Sequence, residues 1–177
     1  MPIDLVDPET PAADLESELA TLLIDSVEGG ASVGFLTPLG YDDARQWWAA
    51  ALRSPGTLTF TARVDGRLVG VVQLNLVGMP NGAHRAEVAK LLVHRAARGR
   101  GLARALLERL EAEALARGRW LLVLDTETGS PAESIYQRFG WTRVGSIDDY
   151  AGKPDGELIA TTVMFKKLVR RPEALPR

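Results

Sequence analysis

The sequence predicts an α/β fold in which a central mixed β-sheet is flanked by helices. Three observations carry that prediction. Apolar residues recur at helical spacing in two segments before residue 53. Two β-rich runs then meet at Asp65-Gly66. Beyond residue 100, helical and strand-like segments alternate, an order that gives a mixed sheet with helices packed on it. With 177 residues and neither an internal repeat nor a low-complexity linker, the chain reads as one domain over 1–169, followed by a loose tail at 170–177.

In chain order, Leu15, Leu19, Leu22, Leu23 and Val27 share one face of a first helix. Thr10 and Pro11 are placed to open it, and Gly29-Gly30 to close it. "ASVGFLTPLGY" reads as a loop. Asp42 is the expected cap of a second helix carrying Trp47, Trp48, Ala51 and Leu52, which ends at Ser54-Pro55-Gly56. "TLTFTARV" and "RLVGVVQLNLV" form a hairpin through Asp65-Gly66, a pair that tolerates the positive φ angles of a tight turn. Pro80-Asn81-Gly82 turns the chain into a third strand, "AEVAKLLV".

The helix over 101–117 has Leu102, Leu106, Leu110 and Ala114 at four-residue spacing. Arg104–Glu108 and Arg109–Glu113 are its expected surface pairs, and Gly118 its stop. "RWLLVLDTE" is nearly continuous in apolar residues, as a strand covered on both faces requires. Ser130 with Glu133 makes a capping box, Pro131 takes the first helical position and Gly140 ends that short helix. "LIATTVMFKKL" supplies the last strand.

Composition narrows the function classes. Hydrophobic residues at 46% and charged residues at 25% describe a globular chain rather than a disordered one. A net charge of −2 provides no general attraction for nucleic acid or an anionic membrane, so any anion site has to be built locally. The absence of cysteine rules out disulfides, thiolate metal sites and a cysteine nucleophile, and it fits the reducing cytoplasm, the expected location. The acidic start lacks the apolar run of a signal peptide, and no run is long enough to span a bilayer. His84 and His94 are the only histidines. Both are read as solvated, and no metal site is expected.

"ARGRGLARALL", residues 97–107, builds such a local site. A glycine turn at a helix start leaves backbone N–H groups without partners, and these suit an anion such as a phosphate. The dinucleotide fingerprint fails because Arg104 takes the place of its third glycine. A P-loop fails for want of Gly-Lys-Ser/Thr. An RGG-type RNA contact fits poorly, since the stretch occurs once and leads into an amphipathic helix.

Arg98-x-x-Gly101-x-Ala103, between a strand and a helix, resembles the Gln/Arg-x-x-Gly-x-Gly/Ala signature of the GNAT family of N-acetyltransferases. The family's later Ala-x-x-x-Tyr-x-x-x-Gly-Phe segment reappears as Ala132, Tyr136, Gly140 and Trp141. The resemblance implies a GNAT-like fold and acetyl-CoA as co-substrate. The pyrophosphate would lie on Arg98, Gly99, Arg100, Gly101, Leu102, Ala103 and Arg104, and the pantetheine arm along Leu91, Leu92 and Val93. Gly129 stands where many members carry an asparagine, which removes one side-chain contact to the cofactor. "GGASVGF", "NGAHRAEVAKLLV", "LDTETGSPAESIY", "TRVG" and "PDGEL" extend the resemblance to the tabtoxin-resistance group within the family, over about residues 20–168. That group acetylates an amine of a β-lactam toxin.

A thioester is already activated, and with no cysteine available direct attack by an amine in a ternary complex is the simpler route. A base, an oxyanion donor and an acid for the leaving thiolate are then needed. Glu87 and Asp125 are the candidate bases, and the resemblance puts catalytic carboxylates at both. Tyr136 is the candidate acid, and an amide near Leu92 or Val93 the oxyanion donor. Each side chain also has a plainer reading: Glu87 facing solvent, Asp125 capping a turn, Tyr136 packing the core. Adjacent tryptophans cannot both point inward, so Phe35 and Trp48 are assigned to the wall of the acceptor pocket. The expected partners are acetyl-CoA and a small amine, with neither nucleic acid nor membrane, and a homodimer is one open assembly state. A protein or peptide amine acetyltransferase and a non-catalytic acetyl-CoA-binding module are the alternatives.

Overall fold

The computed structural model describes residues 3–9, 11 and 14–168. The elements are β1 (Ile3–Leu5), α1 (Leu15–Glu28), α2 (Tyr41–Leu52), β2 (Thr57–Val64), β3 (Arg67–Leu76), β4 (Arg85–Val93), α3 (Leu102–Ala116), β5 (Leu121–Glu127), α4 (Pro131–Arg138), β6 (Thr142–Gly152) and β7 (Leu158–Lys167). The strands form one seven-stranded sheet in the order β1-β2-β3-β4-β5-β7-β6. Every neighbouring pair is antiparallel except β4 and β5, which run parallel. No helix among the described residues is long and apolar enough to cross a membrane.

Two cores sandwich the sheet. On one face Leu102, Leu106, Leu107, Leu110 and Ala114 of α3 pack against Phe60, Val72, Ala86, Val88, Leu122 and Leu124, with Tyr136 and Trp141 closing the side. Gly70 permits this approach: a Cβ there would meet the Leu106 Cδ1 at 3.0 Å. On the other face Leu15, Leu19, Leu22, Leu23 and Val27 of α1 pack with Ala44, Trp48 and Leu52 of α2 over Leu68, Val71 and Leu92. The apolar spacing read from the sequence thus marks the buried face of both long helices.

The ends of elements show where local signals lose to packing. α1 starts at Leu15 behind Asp14, not at Pro11. Its helical backbone begins where the first core-facing leucine does. Thr10, the expected cap, lies outside the described residues, as does the tail at 170–177. Gly40, not Asp42, precedes α2; Asp42 and Asp43 sit inside its first turn, where they complement the helix dipole. The hairpin turn does form at Asp65 and Gly66, with φ 49° and 78°. Ser130 accepts from the Glu133 amide at 3.3 Å, while the Glu133 carboxylate takes the Gly129 amide at 2.7 Å. β1 and β6 were not legible: β1 has three residues, and β6 is an edge strand exposed along most of its length, so neither shows an alternating pattern.

Candidate active site

The strand register opens a gap. β4 pairs with β5 only at Arg85↔Leu121, Ala86↔Leu122 and Glu87↔Val123, yet both strands continue beyond that point. Leu91 to Val93 and Leu124 to Glu127 therefore diverge, and each strand leaves backbone groups on its inner edge free for a ligand that offers amides.

A bulge in β4 arranges the side chains around the gap. Gln73 faces Ala89 but Val71 faces Leu92, so β4 holds one residue more than β3 over this stretch. Lys90 sits there with φ +52°. The bulge reverses the alternation: Ala86 and Val88 face the α3 core before it, whereas Leu91 and Val93 do so after it. Glu87, Lys90 and Leu92 consequently share the opposite face, on the side of α1 and α2. Asp125 lies on that face too, since its neighbours Leu122 and Leu124 are buried beneath α3. Glu87 and Asp125 are exposed. The fields of both reach Lys90, whose ammonium pKa burial lowers while the two carboxylates work to raise it.

Tyr136 approaches from the other face. It is 7% exposed, packs edge-on to Trp141 at 5.7 Å and belongs to the α3 core. Its hydroxyl donates to no described residue and is not fully enclosed. Burial, and secondarily the Asp125 charge, hold its pKa above the ordinary tyrosine value.

The glycine turn has the form an anion site needs. Gly99 and Gly101 both adopt φ +77°, and a Cβ on either would meet nothing within 4 Å. α3 starts behind Gly101 with no side-chain cap, and the Ala105 amide donates to the Gly101 carbonyl at 3.1 Å. The amides from Gly99 to Arg104 donate to no described residue. They point into open space at the positive end of a fifteen-residue helix. Arg98 folds back to donate to the Val93 carbonyl at 3.2 Å, and Arg104 pairs with Glu108 at 2.8 Å. Free amides at the turn and unpaired strand edges leading to it fit a cofactor with a pyrophosphate at one end and an amide-bearing arm.

The acceptor side departs from expectation at one residue. Trp48 is fully buried between α1 and α2 and cannot line a pocket. Its neighbour Trp47 is half-buried instead, with its ring 5.2 Å from Phe35 in an edge contact. The reason is helical phase: Ala44, Trp48 and Leu52 form the inward stripe of α2, and Trp47 lies a residue off it. The sequence reading did not single out Lys90, and between the two tryptophans it chose Trp48. A lysine inside an apolar strand run was the available signal for the first.

Neither histidine is simply solvated. His84 stacks on Trp120 at 4.7 Å with Nδ1 enclosed, and His94 Nδ1 accepts from the Ala96 amide. Both do packing or capping work near the ends of β4. No group of three metal-ligating side chains is assembled among the described residues.

Residues 21–141 match the model of the acetyltransferase (GNAT) family. An uncharacterized N-acetyltransferase from the hisH-hisA intergenic region of Azospirillum brasilense is 34% identical over 125 residues, 69% of this chain and 74% of that protein. Among solved structures, yncA from Salmonella typhimurium, determined with its cofactor acetyl-CoA, superposes with a TM-score of 0.77 at 23% identity, covering 100% of this chain and 98% of that one. Ribosomal-protein-alanine N-acetyltransferase from Brucella melitensis gives 0.77 at 24% identity, over 95% of this chain and 100% of that one. The gap, the bulge and the glycine turn thus belong to a GNAT fold, and the chain is a member of the acetyltransferase (GNAT) family. The family defines its class as an acetyltransferase, and the relative from Azospirillum brasilense carries the narrower description N-acetyltransferase.

Proposed function

We propose that the acceptor is a primary amine of a small molecule, which attacks acetyl-CoA directly in a ternary complex. The observation that carries this reading is the gap between β4 and β5, with Glu87 and Asp125 on one face and Tyr136 on the other. When bound, acetyl-CoA supplies the activated thioester. Glu87 and Asp125 attract the substrate ammonium, and one of them takes its proton through a water. An amide at Leu92 or Val93 donates to the carbonyl oxygen as charge develops. Tyr136 stays protonated at neutral pH and donates to the leaving sulfur. The same desolvation that raises its pKa raises the proton affinity of a thiolate beside it.

A small acceptor is favoured by how the loop at residues 29–40 closes the site. Ser32 Oγ donates to the Gly152 carbonyl at 3.0 Å, and the Thr37 amide to the Pro154 carbonyl at 2.7 Å. The loop therefore bridges from α1 to the β6–β7 hairpin, which supports reading it as a wall of the acceptor side. A β-lactam toxin or antibiotic bearing a free amine, of the kind the tabtoxin-resistance resemblance suggests, is the first compound to try.

The test is release of free thiol from acetyl-CoA with amino acids, β-lactam toxins, polyamines, aminoglycosides and peptides as acceptors. Turnover is expected on a small amine, falling about a hundredfold in kcat for Tyr136→Phe. Turnover confined to peptides would move the protein to the peptide class. An unchanged Tyr136→Phe rate would remove that residue from the acid role.

A further inference from the structure

Lys90 lies on the acceptor face of β4, and it has no ion-pair partner within 4 Å among the described residues. Its ammonium instead donates to the Val33 carbonyl at 2.9 Å. It lies 5.7 Å from the centroid of Phe35 and 5.3 Å from that of Trp47. Gly34 passes close above: a Cβ there would come within 3.4 Å of the Lys90 Nζ. One side chain thus touches both the loop at 29–40 and α2, and it springs from the bulge that also aims Glu87 and Leu92.

We propose that Lys90 is the positioning residue of the acceptor wall. Its ammonium ties Val33, Phe35 and Trp47 to the bulge of β4, so the aromatic surface is held over the gap between Glu87 and Asp125. The wall is then registered to the same strand that lines the donor site, and an amine resting on it is presented to the thioester. The arrangement needs a long cationic side chain at this position. The hydrogen bond uses the donor, the two rings use the charge, and partial burial of the ammonium strengthens both. The inference rests on the reading that the acceptor enters on the face of Glu87 and Asp125.

The experiment compares Lys90→Met, which keeps the length and the Cβ at positive φ but removes donor and charge, with Lys90→Arg, which keeps both. For the best acceptor of the amine panel, Lys90→Met is expected to raise the acceptor KM about tenfold, with kcat within about twofold and acetyl-CoA affinity unchanged. Lys90→Arg should recover most of that loss. Independently of any turnover, acrylamide quenching of tryptophan fluorescence should rise in Lys90→Met, and the rise should vanish when Trp47→Phe is added. An unchanged KM together with unchanged quenching would overturn the proposal. So would equal impairment of the Met and Arg variants, or a loss confined to acetyl-CoA affinity. If quenching rises through Trp47 but no small amine is acetylated, the wall stands and the acceptor class is what fails.

Discussion

Gly101 shows how much one backbone angle decides. At φ +77° it takes a conformation that costs other L-residues about 1–2 kcal/mol, and its amide is one of those left free at the turn. Proline there would force φ to about −65° and delete the N–H. Gly101→Pro is expected to abolish acetyl-CoA binding by titration calorimetry. Gly101→Ala, with open space for its methyl in the unliganded turn, should fold and bind more weakly. Equal affinity in all three proteins would contradict the pyrophosphate assignment. Lys90, Asp125 and Tyr136 show the same dependence on placement. Each is an ordinary residue type whose electrostatic environment arises only because the gap and the bulge bring them together.

Among elements, α3 carries the clearest link from sequence to packing to function. Its Leu102, Leu106, Leu110 and Ala114 stripe is buried as the spacing predicts, and the helix N-terminus points its free amides at the turn. Leu106 is fully buried and rests over Gly70. Leu106→Ala should cost about 2–5 kcal/mol in urea unfolding, and a cost below about 1 kcal/mol would show that the site collapses around the missing atoms. The α3 surface pairs also form as expected, Arg104–Glu108 at 2.8 Å and Arg109–Glu113 at 2.9 Å, but exposed pairs of this kind contribute little to stability. β4 behaves differently. Its apolar alternation announced a strand, but alternation could not report a bulge, and the bulge decides which face Glu87 uses.

Across the whole molecule, α1 is joined to the segment that leads into the glycine turn. Asp25 accepts from the Arg95 amide at 3.0 Å and from its Nε at 2.8 Å, with the His94 Nε2 3.7 Å away. Burial pushes the Asp25 carboxyl up, but the hydrogen bonds from Arg95 and the charges of His94 and Arg95 outweigh it and hold the pKa below the ordinary 3.8. A carboxyl depressed in the folded state contributes stability that is fully present above its unfolded pKa. That contribution is lost as pH falls through the folded value. Stability of the protein should therefore decline as pH drops below about 4, and Asp25→Asn should show a shallower decline in thermal melts taken across that range. An identical slope in the variant would show that other carboxylates carry the acid limb.

The sequence by itself determined the local features: the helix faces, the hairpin turn, the capping box, the glycine turn with its free amides, and through its motifs the acetyltransferase family. These depend on residues close together in the chain, where spacing and backbone preference leave a direct mark. The tertiary structure alone decided that Trp48 is buried while Trp47 meets Phe35, that β4 and β5 part after Glu87 and Val123, and that Lys90 ties the loop at 29–40 to the bulge. Those outcomes depend on register and on which helix covers which strand. Such contacts join residues as far apart as Ser32 and Gly152, and no local pattern encodes them.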